Sequence, residues 1–494
     1  LGAIRKQSIL TSIILLAGVG LGYFLKLFVF TKYLTADEIG LLTVLLDAAN
    51  LLAALIPLGT QQIYIRYMPA FKSHAGGREG LFIVGLLFTA LGFGLFVLLY
   101  ALFRESLLAV IARNAHLLAA YLPYFIPLLL ARLLYRLGMV FSRAMKQLVF
   151  STFLKEVLAR LLVIIAVLLY SRRYFDFDDL VFWYVTLYGI IGALMMAYVV
   201  RQFAFRQKPS FAEAAPKKLR AMATFGLFAV LTSVGTLVVK NIDSLMITSL
   251  KDLSSAGIYS IAFFIGMIIE LPRRALSQSV NPYIAQYFQN DDMANIALMY
   301  RKTSLNQLAV GLFLVVVVWL CLEDLFTLIP NGEVFRAGKW VVLFIALANL
   351  VDMATGINTN IIQNSPKYPL NLYLMLSMSA LFVLSNLVLI PRMGITGAAL
   401  ATFLTFTLVN GLRMYLVWVY FKIQPFTAAT FWVLLIGLAV YGLVLVLPGT
   451  GNPWLNTALR SLLVSIGFWG ALLYFNLSED FSSLYGKVVS RLKK

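Results

Sequence analysis

Apolar runs of about 20 residues, the length that spans a hydrocarbon layer of about 30 Å, recur along the whole chain between short polar and basic turns. They lie near 9–30, 40–66, 81–103, 117–141, 152–171, 179–200, 222–248, 257–284, 304–328, 337–362, 369–390, 395–420, 428–447 and 456–476. The pattern predicts an all-α polytopic membrane protein of fourteen transmembrane helices. Strands are excluded because lipid leaves an open strand edge with nothing to bond to. The first run is too long for a cleavable leader, carries Lys26 and lacks a small-residue cleavage site.

The connection over 201–220 is the longest basic, Pro- and Ala-containing one, and it divides the first twelve spans into two groups of six. Faint repeats support the division. Leu34-Thr-Ala-Asp-Glu-Ile-Gly40 before the second span resembles Leu253-Ser-Ser-Ala-Gly-Ile-Tyr259 before the eighth. These two spans each contain a proline and approach another near the cytoplasmic end, Pro57 and Pro69 in one case and Pro272 and Pro282 in the other. Polar-basic turns follow the fourth and tenth spans, Ser142-Arg-Ala-Met-Lys-Gln147 and Gln363-Asn-Ser-Pro-Lys367. The expected organisation is an N-lobe over 1–210, a C-lobe over 211–425, and a further pair of spans with a basic tail over 426–494. Six is even, so the lobes share orientation and a pseudo-two-fold axis along the membrane normal.

Composition agrees with the span pattern. The chain is 61% apolar and 12% charged, against about 45–50% and about 25% in soluble domains, and its mean hydropathy is +0.89. A water-soluble enzyme or nucleic-acid module is excluded. One cysteine, Cys321, and two histidines, His74 and His116, leave no disulfide framework and almost no ligands for a zinc or histidine-based centre. The net charge of +19 resolves into a positive-inside pattern. With the N-terminus in the cytoplasm, Arg5/Lys6, Arg66/Lys72/Arg78, Arg143/Lys146, the 201–220 cations, Arg301/Lys302, Lys422 and the Lys487–Lys494 tail share that side. The acids Asp37/Glu38, Asp176/Asp178/Asp179 and Glu323/Asp324 fall opposite. Both termini are expected in the cytoplasm.

Three motifs carry a family resemblance: Ala36-Asp-Glu-Ile-Gly-Leu-Leu42, its counterpart Ala256-Gly-Ile-Tyr-Ser260, and Gly394-Ile-Thr-Gly-Ala-Ala-Leu-Ala-Thr402. With the six-plus-six-plus-two plan, the chain resembles the multidrug/oligosaccharidyl-lipid/polysaccharide exporter superfamily, and within it the polysaccharide transporter, or Wzx-type oligosaccharide flippase, branch. The resemblance implies two six-helix lobes around a central cavity that alternates between inward-open and outward-open states. It implies a polyprenyl-pyrophosphate-linked oligosaccharide, a precursor of polysaccharide or lipopolysaccharide O-antigen, moved from the cytoplasmic to the periplasmic leaflet of the bacterial inner membrane. Spans thirteen and fourteen match the extra pair that forms a lipid-tail groove in related lipid II flippases.

Ionisable residues inside the spans supply the chemistry. A charge at the bilayer centre costs roughly 2.5–3.5 kcal/mol on insertion scales, so such residues face a cavity or pair with one another. Ser233, Thr236, Lys240, Asp243 and Ser244 form one helical stripe in span seven; Glu270, Arg274, Ser277 and Asn281 form another in span eight, beside Arg273. Span ten carries Asn349, Asp352, Thr355, Asn358 and Thr359, span two Asp47, Asn50 and Gln61, and span four Arg132 and Arg136 among Tyr121, Tyr124 and Tyr135. Lys240 with Asp243 is either a structural ion pair or a cavity wall, and Lys26 either lines the path or snorkels.

The expected cationic substrate site is Lys26, Arg132, Arg136, Lys240, Arg273 and Arg274. Guanidinium groups grip phosphate bidentately, so an anionic pyrophosphate or acidic glycan fits better than a cationic drug. Asp47, Asp243, Glu270 and Asp352 are candidates either for proton or sodium coupling or for charge balance. No cofactor, metal or nucleic acid is expected. Beyond lipid and substrate, the candidate partners are glycan polymerases and glycosyltransferases, and the expected functional unit is a monomer. A cation-coupled drug exporter of the same superfamily is the alternative. A polytopic glycan polymerase using Asp176-Phe-Asp-Asp179 is a weaker one, since no long external loop exists to house a catalytic domain.

Overall fold

A computed structural model describes residues 2–57, 59–72, 76–112, 115–203, 210, 220–226 and 241–492. All regular structure among them is helical, and eleven helices are long and apolar enough to cross a membrane. The chain is a multi-pass membrane protein. The connection at 204–209 and 211–219, where the lobes were expected to divide, lies outside the described residues, as does 227–240 of the seventh expected span. By packing, the chain gathers into two compact units, Leu1–Ser260 and Ile261–Lys494.

In the first unit, α1 (Gly2–Phe24) runs into a π-helical turn at Leu25–Phe30. Next comes α2 (Ala36–Leu55), which opens with a reciprocal cap: the Glu38 amide donates to Thr35 Oγ1 at 3.3 Å, and the Thr35 amide donates to Glu38 Oε2 at 2.7 Å. The expected span over 40–66 is interrupted. Pro57 cannot continue the backbone ladder, Thr60 turns its hydroxyl onto the Pro57 carbonyl, and a separate helix, α3 (Thr60–Lys72), begins there. The unit continues with α4 (Gly77–Ala112), α5 (Phe125–Ala144), α6 (Ala159–Ser171), preceded by a second π turn at Leu154–Leu158, and α7 (Phe177–Phe203). Its core joins α3, α4, α5 and α7. Phe141 meets Tyr64 and Phe82 edge-on at 5.4 and 5.0 Å, and the Tyr64 hydroxyl donates to the Phe82 carbonyl at 3.1 Å.

The next long helix, α8 (Leu253–Gly266), crosses α2 at backbone contact. A Cβ on Gly40 would lie 2.0 Å from the Leu253 carbonyl oxygen, and one on Gly257 would lie 1.9 Å from that of Ala36. The two segments that resemble one another in sequence therefore pack against one another, and only glycine permits the approach.

In the second unit a 3₁₀ turn at Met267–Ile269 precedes α9 (Glu270–Gln289), where Pro272 falls in the first helical turn. The unit continues with α10 (Met293–Leu328), α11 (Lys339–Ala354), α12 (Asn358–Asn364) and α13 (Pro369–Phe421), the last being two helical segments joined at Gly394, whose φ of +60° is non-helical, three residues after Pro391. Two hydrophobic helices, α14 (Ala428–Leu445) and α15 (Pro453–Tyr474), lie on α10 through Leu312, Val316, Val440 and Phe468. Their outer faces carry Leu438, Leu443 and Ile466 at 68%, 72% and 62% exposure, the apolar surface that lipid covers. The closing helix, α16 (Glu479–Leu492), is tied to α10 by Lys302–Glu479 at 2.9 Å and Asn306–Asp480 at 2.6 Å.

Replacing Gly40 or Gly257 by valine is expected to cost about 1–3 kcal/mol of overpacking strain, seen as a lowered melting temperature in detergent. Gly20→Val, with nothing within 4 Å of its Cβ position, is the control. Equal shifts at Gly40 and Gly20 would remove the crossing from the fold's determinants.

Candidate functional site

The polar edge of α2 organises the first unit. Thr43, Asp47 and Asn50 follow at steps of four and three residues, which places them along one side of the helix. Lys26, from the π turn, donates to Thr43 Oγ1 at 3.5 Å, and Thr43 donates to Ser260 Oγ at 3.4 Å. Ser244 donates to Asp47 Oδ2 at 2.7 Å, and Asp47 also interacts with the Lys26 charge. The Tyr259 hydroxyl donates to the Asp243 carboxylate. Lys240, and with it the expected Lys240–Asp243 pair, lies outside the described residues.

One turn on, Arg132 of α5 donates from Nε to Asn50 Oδ1 at 2.8 Å. Its guanidinium lies 5.4 Å from the Tyr135 ring centre and 5.3 Å from that of Tyr188, within cation–π range. Arg136, the next turn of α5, donates to Gln61 Oε1 at 3.5 Å. Both arginines are thus held by neutral amides, and among the described residues neither forms an ion pair. Beside Arg136, a small cleft of about 30 Å³ is bounded by Ala54, Thr60, Gln61 and Val140.

The second unit treats its arginines differently. Glu270 accepts from Arg273 at 3.2 Å and from Arg274 at 2.5 Å, and Arg273 Nε lies 2.9 Å from Asp352 Oδ2. Farther along α9, Ser277 donates to Asn360 Oδ1 at 3.1 Å, while Asn281 accepts from Asn360 at 3.1 Å and Asn364 at 2.7 Å. The single stripe expected over 349–359 is divided: α11 ends at Ala354, Gly356 turns with φ +64°, and Asn358 opens α12. Asp352 accordingly meets α9, whereas Asn358 meets Asn410 of α13 at 3.4 Å.

Several polar residues escaped sequence reasoning. Thr43 joins Lys26 to Ser260, but a lone threonine in an apolar run carries no signal. Arg413 is buried, donating to Asn410 at 3.3 Å and interacting with the Asp352 charge; the expected span ends seven residues later, so its position resembles that of a snorkelling side chain. In the span-five region Glu156 pairs with Arg160 at 2.7 Å, and Arg160 donates to the Gly18 carbonyl of α1. Here the Glu-Arg spacing of four was the legible sign. Three tyrosines noted in the sequence have their hydroxyls engaged internally: Tyr121 on Asp178, Tyr135 on the Ser151 carbonyl, and Tyr259 on Asp243. Among the described residues no three His, Cys, Asp or Glu side chains converge to hold a metal.

Residues 4–288 match the family described as polysaccharide biosynthesis protein. The chain belongs to that family. Solved structures share its fold. The inward closed conformation of the lipid II flippase MurJ superposes with a TM-score of 0.69 at 15% identity, covering 94% of this chain and 100% of that one. An inward-facing multidrug resistance MATE family transporter of the MOP superfamily gives 0.63 at 14% identity, covering 81% and 94%. The Vibrio cholerae MATE transporter VcmN gives 0.55 at 15% identity, covering 85% and 97%. No curated protein matches the chain. The fold expected from the turn motifs is thus the one this polysaccharide biosynthesis family protein shares with the solved lipid II flippase and MATE transporter structures.

In this family member the Glu270 cluster is expected to act as a unit. Glu270→Gln and Arg274→Gln, measured singly and together by thermal or denaturant unfolding, should be non-additive with a coupling of about 0.5–3 kcal/mol. Simple additivity would make the contacts energetically silent.

Proposed function

We propose that this protein is a flippase that moves a polyprenyl-pyrophosphate-linked oligosaccharide from the cytoplasmic to the periplasmic leaflet of a bacterial cytoplasmic membrane by alternating access. The observation that carries the reading is the pair Arg132 and Arg136, oriented by Asn50 and Gln61 rather than by carboxylates. A guanidinium in a lipid-embedded protein ordinarily finds an anionic partner, because an unanswered charge is costly there. Leaving two adjacent ones to amides keeps positive charge available for an anion that comes and goes, and a pyrophosphate supplies one. Lys26, Lys240, Arg273 and Arg274 complete the proposed cationic path, with Arg273 and Arg274 held by Glu270 and Asp352 until substrate competes.

The reading takes the lobes as 1–210 and 211–425, with fourteen spans, both termini in the cytoplasm and the last pair of spans against lipid. Family membership supports the polysaccharide-precursor substrate, and the flippase fold supports leaflet exchange without covalent chemistry. The carboxylates Asp47, Asp243, Glu270 and Asp352 are the proposed points of coupling to a proton or sodium gradient.

In liposomes carrying a lipid-linked glycan, Arg132→Gln with Arg136→Gln is expected to abolish leaflet exchange while the protein remains folded and monodisperse. Exchange at the wild-type rate would sink the anionic-substrate reading, and lengthening of the glycan would replace a flippase with a polymerase. For coupling, Asp243→Asn and Asp352→Asn should alter the response of transport to imposed proton and sodium gradients. Unchanged gradient dependence in both would leave these carboxylates a structural role only.

A further inference from the structure

We infer that Asn50 is the specificity-determining positioning residue of the Arg132 site: by accepting from Nε as a neutral amide, it orients the guanidinium for a phosphoryl group without cancelling its charge. The inference rests on the anionic-substrate reading above and assigns the sign of the site to one side chain outside the cation set.

A guanidinium presents five N–H donors in a planar fork. Asn50 takes the Nε–H of Arg132 at 2.8 Å, and among the described residues Nη1 and Nη2 make no hydrogen bond. The plane is steadied by aromatic rings. Tyr135 and Tyr188 lie 5.4 and 5.3 Å from the guanidinium carbon; Tyr135 is fixed by its bond to the Ser151 carbonyl at 2.8 Å, and Tyr188 packs on buried Tyr184 at 5.1 Å. What remains is the Nη1/Nη2 edge, which can take two phosphoryl oxygens at once.

The choice of amide is informative because aspartate is nearly isosteric with it. An aspartate at position 50 would accept the same bond as a charge-assisted one, stronger by about twofold, and would relieve the isolated cation. The neighbouring carboxylate on the same edge, Asp47, is engaged by Ser244 and interacts with Lys26. Arg136 on the next turn also meets an amide, Gln61. An aspartate at 50 would thus favour stability and extinguish the anion site, the exchange expected where function holds a residue away from its most stable partner.

The test uses the purified protein and farnesyl pyrophosphate as probe, with farnesol as the uncharged reference, both followed by calorimetry. Wild type should prefer the pyrophosphate. Asn50→Asp should weaken its binding at least tenfold, as should Arg132→Gln. Asn50→Leu, which removes orientation but not charge, should lose only a few-fold, and farnesol binding should be the same in all four proteins. The melting temperature of Asn50→Asp should equal or exceed that of wild type, as a new ion pair requires. Wild-type affinity in Asn50→Asp, beside a loss in Arg132→Gln, would overturn the role of Asn50 and leave the anionic reading intact. Losses of equal size in Asn50→Asp and Asn50→Leu, or a lowered melting temperature for Asn50→Asp, would overturn the argument from neutrality. If wild type does not prefer the pyrophosphate and Arg132→Gln changes nothing, the proposed function itself fails.

Discussion

A polar side chain that enters the hydrocarbon layer has no water to bond to, so its partner must come from the same protein, from its own helix or from another. That constraint arranges most of what is distinctive here. Along α2 the partners arrive in register: Lys26 and Ser260 at Thr43, Ser244 at Asp47, Arg132 at Asn50. Each bond draws a different segment to the same helix edge, and the glycine crossing of α2 with α8 brings the backbones close enough for the uppermost bonds to form.

Two arginine pairs, one in each unit, answer the same cost in different ways. In the second, Arg273 and Arg274 are met by Glu270 and Asp352, so charge is balanced locally. In the first, Arg132 and Arg136 each give a hydrogen bond to an amide and, among the described residues, form no ion pair. A balanced cluster serves as a stable joint that competing anions must break open. In the proposed function, the unbalanced pair is what receives the anion. The proposed anion path rests on this contrast rather than on the total of basic residues.

Much of the fold was legible because lipid leaves so few solutions. Apolar runs of spanning length, positive loops and two similar turn motifs pointed to the helical membrane class and to a polysaccharide-exporter fold. The misplacements have local causes. The second span breaks after Leu55 because Pro57 stops the ladder, and the stripe over 349–359 splits because Gly356 turns the chain. Among candidate residues, charged ones were found readily because they stand out in apolar surroundings. Thr43 was missed because its role depends on what faces it, and Arg413 because its place near a span end resembles a snorkelling residue.

From the sequence alone follow the helical membrane architecture and the identity of the intramembrane charges, because hydropathy and charge are properties of single positions along the chain. Which of those charges are answered, and by what, only the tertiary structure decided. Arg132 and Arg274 look alike in sequence, each an arginine in an apolar helix. They part company when one meets Asn50 and the other Glu270. Glu270 is four residues from Arg274, whereas Asn50 is brought to Arg132 across 82 positions by the packing of α2 against α5. No local pattern encodes that contact.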